Sequence, residues 1–167
     1  MTSLLRKHVE DLKTALLSLP VTGEKGFEGL IGVTLREISG VPFRLAGGGS
    51  QFGVNGKPAC KGDAICFEGK RYDGRVPRTE VLSKIAELSI NDTEIDIWVL
   101  GATSQIRSQL ADDARALRNK NGIVILILDW SEADIPPFAV ALAMGGTRVQ
   151  EFLKSNIITT ASVGTRA

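Results

Sequence analysis

A chain of 167 residues, 43% hydrophobic and 23% charged, carries enough apolar material for one domain with its own core and too much for a disordered tail. Its 20 basic and 19 acidic side chains nearly cancel, leaving +1, so a nucleic-acid partner would have to be held by a local patch rather than a global basic field. Cys60, Cys66 and His8 are too few for a zinc cluster or a disulfide framework, no apolar run reaches membrane-spanning length, and the first residues lack a signal-peptide core. The expectation is a protein with reduced thiols, no membrane partner and a cytoplasmic location.

Residues 3–18 place Leu5, Val9, Leu12 and Leu16 at helical spacing, and Pro20 and Gly23 end the pattern. A second helix is predicted over 25–39, with a stripe of Phe27, Leu30, Ile31, Leu35 and Ile38 and a stop at Gly40. Glu28 and Glu37 flank the stripe. Glu37 reads as a solvated edge carboxylate.

Residues 41–46 form a short strand, and the glycines after it permit a bend or bulge. Asn55-Gly56 is a tight-turn signal between two strands. The next strand spans 63–72. Its Ala64-Ile65-Cys66-Phe67 segment is apolar on both faces, as in a central strand, which makes Cys66 a small core residue. Pro77 and Thr79 introduce a helix near 79–89 with Val81, Leu82, Ile85 and Leu88 inward.

A third strand covers 95–101. Ser104 is placed to cap a helix over 105–119, whose stripe is Ile106, Leu110, Ala114 and Leu117. Asn121-Gly122 turns the chain into 123–129, apolar on both faces and therefore predicted to be a buried strand. Trp98 and Trp130 read as packing residues. Pro136-Pro137 starts a last helix reaching about Lys154, and residues 156–167 look like the start of a linker. The alternation predicts an α/β sheet covered by helices. The organisation is an amino-terminal helix over 1–24, a domain over 25–155, and a tail.

The glycine run after the first strand suggests a phosphate cradle, but it breaks both known patterns. A Walker loop ending on Gly56-Lys57 needs a glycine where Gln51 stands and a Ser or Thr where Pro58 stands. A dinucleotide fingerprint starting at Gly47 needs glycine at position 52, which is Phe52.

Glu68-Gly69-Lys70 is the sharper signal. Alternate residues of a strand share a face, so Glu68 and Lys70 stand side by side on an apolar strand. Buried charges are costly without partners or work. Phosphodiester hydrolysis uses such a pair: a carboxylate helps hold a divalent cation, and an ammonium steadies developing charge.

In this setting the chain resembles the PD-(D/E)xK nuclease superfamily, and within it the Mrr-like restriction endonuclease branch. The resemblance rests on Phe27-Glu28 on a helix, the glycine-rich stretch from Gly47 to Asn55-Gly56, and Phe67-Glu68-Gly69-Lys70-Arg71-Tyr72, and covers about residues 25–130. It implies a restriction-endonuclease-like three-layer α/β/α fold with a central mixed sheet, and a DNA endonuclease using Mg²⁺, with Mn²⁺ able to substitute. Glu68 would be a metal ligand, Lys70 the catalytic lysine, Glu28 an accessory acid, and Gln51 a residue that holds the site or the substrate.

The departure is Asn55, where the family has a metal-binding aspartate. A neutral carbonyl weakens metal affinity and water activation. An isosteric disabling change is the favoured reading, a naturally weakened site the alternative. Asp63 is no substitute, since it lies about 16 Å from Glu68 along the strand at ~3.3 Å per residue, and on the opposite face.

Arg71, Arg75, Arg78 and Lys84 follow the strand and would form a phosphate-contacting rim, or simply a solvated face. The resemblance further implies double-stranded DNA as partner, self-association into a homo-oligomer, and fusion to a sensor or NTPase module in restriction or anti-phage defence. A non-cleaving nuclease-fold module for nucleic-acid binding or self-association is the alternative, and a flavodoxin- or Rossmann-like small-molecule domain a third.

Overall fold

The computed structural model describes residues 3–45, 56–58, 65–91, 95–131 and 134–163. Two helices, α1 (Ser3–Ser18) and α2 (Phe27–Ser39), precede three strands, β1 (Phe43–Leu45), β2 (Gly56–Pro58) and β3 (Ile65–Lys70). Then come α3 (Arg78–Asn91), β4 (Ile97–Ala102), α4 (Ser108–Asn121) and β5 (Val124–Leu128), and the chain closes with α5 (Pro137–Met144) and α6 (Gly146–Val163).

The strands lie side by side in chain order. β1, β2 and β3 pair antiparallel, while β3, β4 and β5 pair parallel, so the sheet is mixed. Parallel neighbours need long crossovers, and α3 and α4 supply them. β3 is the middle strand, as its apolar composition on both faces requires.

Period-two alternation sends the strands' side chains to two separate cores. On one face Cys66, Trp98, Leu100 and Ala102 pack with Val81 and Ile85 of α3 and Leu110 and Ala114 of α4. On the other, Phe67 and Val99 pack with Phe27, Leu30 and Ile31 of α2, Phe138 and Leu142 of α5, and Val149 of α6. Leu16 and Leu19, from α1 and the residues after it, join this second core. Helices thus cover both faces, and both tryptophans are buried.

One contact sets the seat of α2. Gly69 of β3 lies directly opposite Gly101 of β4. Together they leave a patch of bare backbone, and Ile31 presses into it. A Cβ on Gly69 would stand 3.0 Å from Ile31 Cδ1, and one on Gly101 2.7 Å. Phe27 also lies against Gly69 and stacks at a tilt on Phe138, with ring centroids 5.4 Å apart. Glu28 follows Phe27 on this same turn.

Several sequence expectations are corrected. Gly56 is no hairpin turn: it pairs with Leu45 on one side and Phe67 on the other, inside a strand. Ile38 is 41% exposed, because the whole last turn of α2 faces outward. β5 is an edge strand among the described residues: Ile125 and Ile127 pack on one core and Leu128 on the other, while Val124 and Leu126 are exposed at 41% and 45%. The last helix is two helices, broken at Gly145 and Gly146, the latter at φ 56°. α6 continues to Val163 through the stretch expected to open a linker.

Filling the glycine patch should lift α2 from the sheet. Gly101→Val is expected to destabilise the fold by about 1–3 kcal/mol, the usual cost of overpacking a core. Urea unfolding checks it, and an unchanged midpoint would show that α2 does not need the bare backbone.

Candidate active site

The end of β3 brings the paired charges together. Glu68 is opposite Leu100 and Lys70 opposite Ala102, so both project toward the α3–α4 face. Glu68 is only 3% exposed. Its Oε1 lies 2.9 Å from Lys70 Nζ, and its Oε2 is buried with no hydrogen-bond partner among the described residues. An orphaned carboxylate oxygen in a core is expensive, since desolvation is uncompensated.

Lys70 is held from a second side. Glu80, in the first turn of α3, places Oε2 3.2 Å from Nζ. The Tyr72 hydroxyl donates to the Glu80 carboxylate at 2.7 Å. Positions 68, 70 and 72 thus act along one side of the strand and its extension. Tyr72 is then fixed by Thr103, whose Oγ1 accepts from the Tyr72 amide at 2.9 Å and donates to its carbonyl at 2.8 Å.

Glu28 approaches from α2. It is buried, and its Oε2 accepts from the Gly23 amide at 3.2 Å, tying the α1–α2 turn to the site. Its charge acts on Lys70 and on Glu68, so the three groups form one electrostatic unit.

Burial raises the Glu68 and Glu28 carboxyls above the usual carboxylate range; Lys70 only partly offsets this for Glu68. Burial by itself would lower Lys70, but its bonds to Glu68 and then Glu80 outweigh that and raise it. Glu80 is pulled down, first by the Tyr72 hydroxyl. Tyr72 is pushed up by burial and by donating to Glu80. The arrangement keeps Lys70 charged and leaves Glu68 a poorly solvated carboxylate.

The remaining predicted residues are dispersed. Arg71 Nη1 donates to the Leu17 carbonyl at 2.6 Å, which commits part of its guanidinium to α1. Arg78 binds Asp113 of α4 through Nε and Nη2 at 2.8 and 2.7 Å. Lys84 pairs with Glu87 at 3.2 Å while its charge still reaches Glu68 and Glu80. Arg75 is exposed. Gln51 and Asn55 lie outside the described residues, though Gly56, the next residue after Asn55, pairs with Phe67 beside Glu68.

Sequence reading missed Glu80, Tyr72, Thr103 and Asp129. Tyr72 shares the parity of Glu68 and Lys70, a signal that was there to be read. Asp129, buried at the end of β5, accepts from the Ile106 amide at 2.8 Å. It organises the approach to α4, whereas the expected cap, Ser104, is buried with its hydroxyl unpartnered among the described residues.

The described residues contain no group of three side chains set to ligate a metal. The donors present are carboxylate oxygens, which fit a hard cation such as Mg²⁺ that takes one or two carboxylates and fills its shell with water. The orphaned Oε2 of Glu68 is such a donor. No helix among the described residues is long and apolar enough to cross a membrane. No family model matches the chain, and neither a curated protein nor a solved structure matches it.

The raised pKa of Glu68 carries a signed consequence. Its contribution to stability is fully present below the ordinary carboxylate pKa and is lost as pH rises through the folded-state value. Glu68→Gln, which mimics the protonated form, should therefore raise the Tm near neutral pH. The gain over the parent should shrink as pH falls toward about 4, the ordinary carboxylate range. Thermal unfolding in chelator across that range checks it; a pH-independent gain would detach the effect from Glu68 ionisation.

Proposed function

We propose that the chain is a metal-dependent DNA endonuclease domain of the PD-(D/E)xK kind, with a restriction-endonuclease-like fold, weakened by asparagine at position 55. One observation carries the reading: a buried glutamate with an orphaned oxygen sits beside a lysine at the carboxyl end of the middle strand. Nothing among the described residues explains a carboxylate left so incompletely satisfied, whereas a divalent cation would satisfy it. The order helix, antiparallel strands, E-x-K strand, helix, strand supports the same reading, as does Glu28 reaching the unit from α2.

In this reading Glu68 and the side-chain oxygen of Asn55 would hold Mg²⁺ or Mn²⁺, which when bound supplies charge neutralisation and an activated water. Lys70 meets the phosphate oxygens as charge develops on them, and Glu80 with Tyr72 holds the ammonium there. Glu28 balances the lysine from the far side. Lys84, whose charge reaches Glu68, is the rim cation best placed for duplex backbone, and Arg71 and Arg78 act mainly within the fold. Self-association, and fusion to a sensor or NTPase module in defence, belong to the same reading.

A second reading is a nuclease-fold module that binds DNA without cutting. The specific observation for it is that Lys70 is held by two carboxylates, at 2.9 and 3.2 Å, which competes with any phosphate.

Plasmid cleavage with Mg²⁺ or Mn²⁺ separates the two. Asn55→Asp should restore nicking or cutting that chelator blocks. Adding Lys70→Ala should lower it about 100-fold or more, the usual loss for one electrostatic stabiliser. DNA binding in chelator with no cleavage by the Asn55→Asp form would favour the binding module, and undiminished cleavage by the double variant would remove Lys70 from the chemistry.

A further inference from the structure

Phosphate chemistry has a second address in this fold. A cavity of about 330 Å³ is lined by Arg75, Arg78 and Arg107. It lies between the turn that leads β3 into α3 and the loop that leads β4 into α4. This is the carboxyl end of the parallel strands, where open α/β sheets bind ligands. Its volume falls within the range of small-molecule sites, about 300–1,000 Å³.

The three guanidiniums are not equivalent. Arg78 is neutralised by Asp113, which also accepts from Gln109 at 3.2 Å. Arg78, then Gln109, hold the Asp113 carboxyl below its usual range. This clamp ties α3 to α4 and makes one wall. Arg75 and Arg107 have no ion-pair partner among the described residues. Both are exposed and line one concavity, where an anion can meet them. The planar fork of each matches the oxygens of a phosphate. The rest of the lining includes half-buried Pro77, an apolar surface for a sugar or base backed by the core residues Val76 and Leu110, and the Gln105 amide, which can both donate and accept.

We propose that this cavity binds one phosphorylated nucleotide unit, with the phosphate between Arg75 and Arg107 and the nucleoside against Pro77. The site is separate from the Glu68–Lys70 centre, and its occupancy does not depend on whether that centre cuts DNA. The unit has two sources, a free nucleotide or a nucleotide of a DNA strand.

The test uses the full chain in chelator, so cleavage plays no part. Binding is measured by fluorescence anisotropy with two probes, N-methylanthraniloyl-ADP and a short labelled DNA duplex. The variants are Arg75→Ala/Arg107→Ala and, as a control for net charge, Arg115→Ala/Arg148→Ala on exposed helix surfaces. At least one probe should bind the parent, and the cavity variant should weaken it about tenfold or more, while the control binds like the parent. Weakening of the nucleotide probe assigns a free nucleotide. Weakening of the duplex, with the salt slope reduced by about two, assigns the strand. The proposal is overturned if neither probe binds the parent, if the cavity variant binds as the parent does, or if the control loses as much. Equal Tm values confirm that the variants are folded.

Discussion

The contact between Ile31 and the bare backbone of Gly69 and Gly101 governs the geometry of this protein. Side chains at those two positions would hold α2 away from the sheet, since the nearest Ile31 atom is only 3.0 and 2.7 Å from where their Cβ atoms would stand. With α2 seated, Phe27 reaches Phe138 and one core closes over β3 and β4. The same seating delivers Glu28 to the end of β3. A glycine between Glu68 and Lys70 therefore serves both faces of the strand: it admits the helix on one side while its neighbours carry the charges on the other.

Burying Glu68 has a cost that the fold only partly offsets. Lys70 answers one carboxylate oxygen and leaves the other without a partner among the described residues. Lys70 in turn is shared with Glu80, which is shared with Tyr72, which is fixed by Thr103. The chain of contacts runs from β3 through α3 to the end of β4, so the lysine is positioned by three elements rather than one. Such over-determination suits a group whose charge must sit at a fixed point. A buried ion pair adds little net stability compared with an apolar pair.

The carboxyl ends of β3 and β4 thus border two differently charged groups of side chains. One is a buried carboxylate–lysine cluster; the other lines a cavity with arginines and is reinforced by the Arg78–Asp113 clamp. Their proximity follows from the parallel pairing, because both crossovers return the chain to the same edge of the sheet.

Most of the elements were legible in the sequence. The 3.6 and 2.0 periodicities report which face is apolar, and local packing decides whether such a segment is a helix or a strand. That is why α1, α2, α3, β3 and β4 stand close to where the pattern places them, and why Glu68 and Lys70 could be paired from spacing alone. Periodicity does not report what covers an apolar face. Val124 and Leu126 look like central-strand residues, yet they are exposed at the edge of the sheet, where the helix that covers Leu128 does not bury them. Nor does it report a break between two successive helices, which Gly146 at positive φ creates. The partners of the site were hidden for the same reason. Glu80 lies ten residues beyond Lys70 in α3, and Thr103 just past the end of β4, and only the fold brings them together. The residues at hand in sequence determined the charged pair and the strand that bears it, through bond geometry that acts over two or three positions. The neighbours that hold the lysine, orphan the glutamate oxygen and gather the arginines were decided by tertiary structure, because those contacts depend on how the sheet orders its strands.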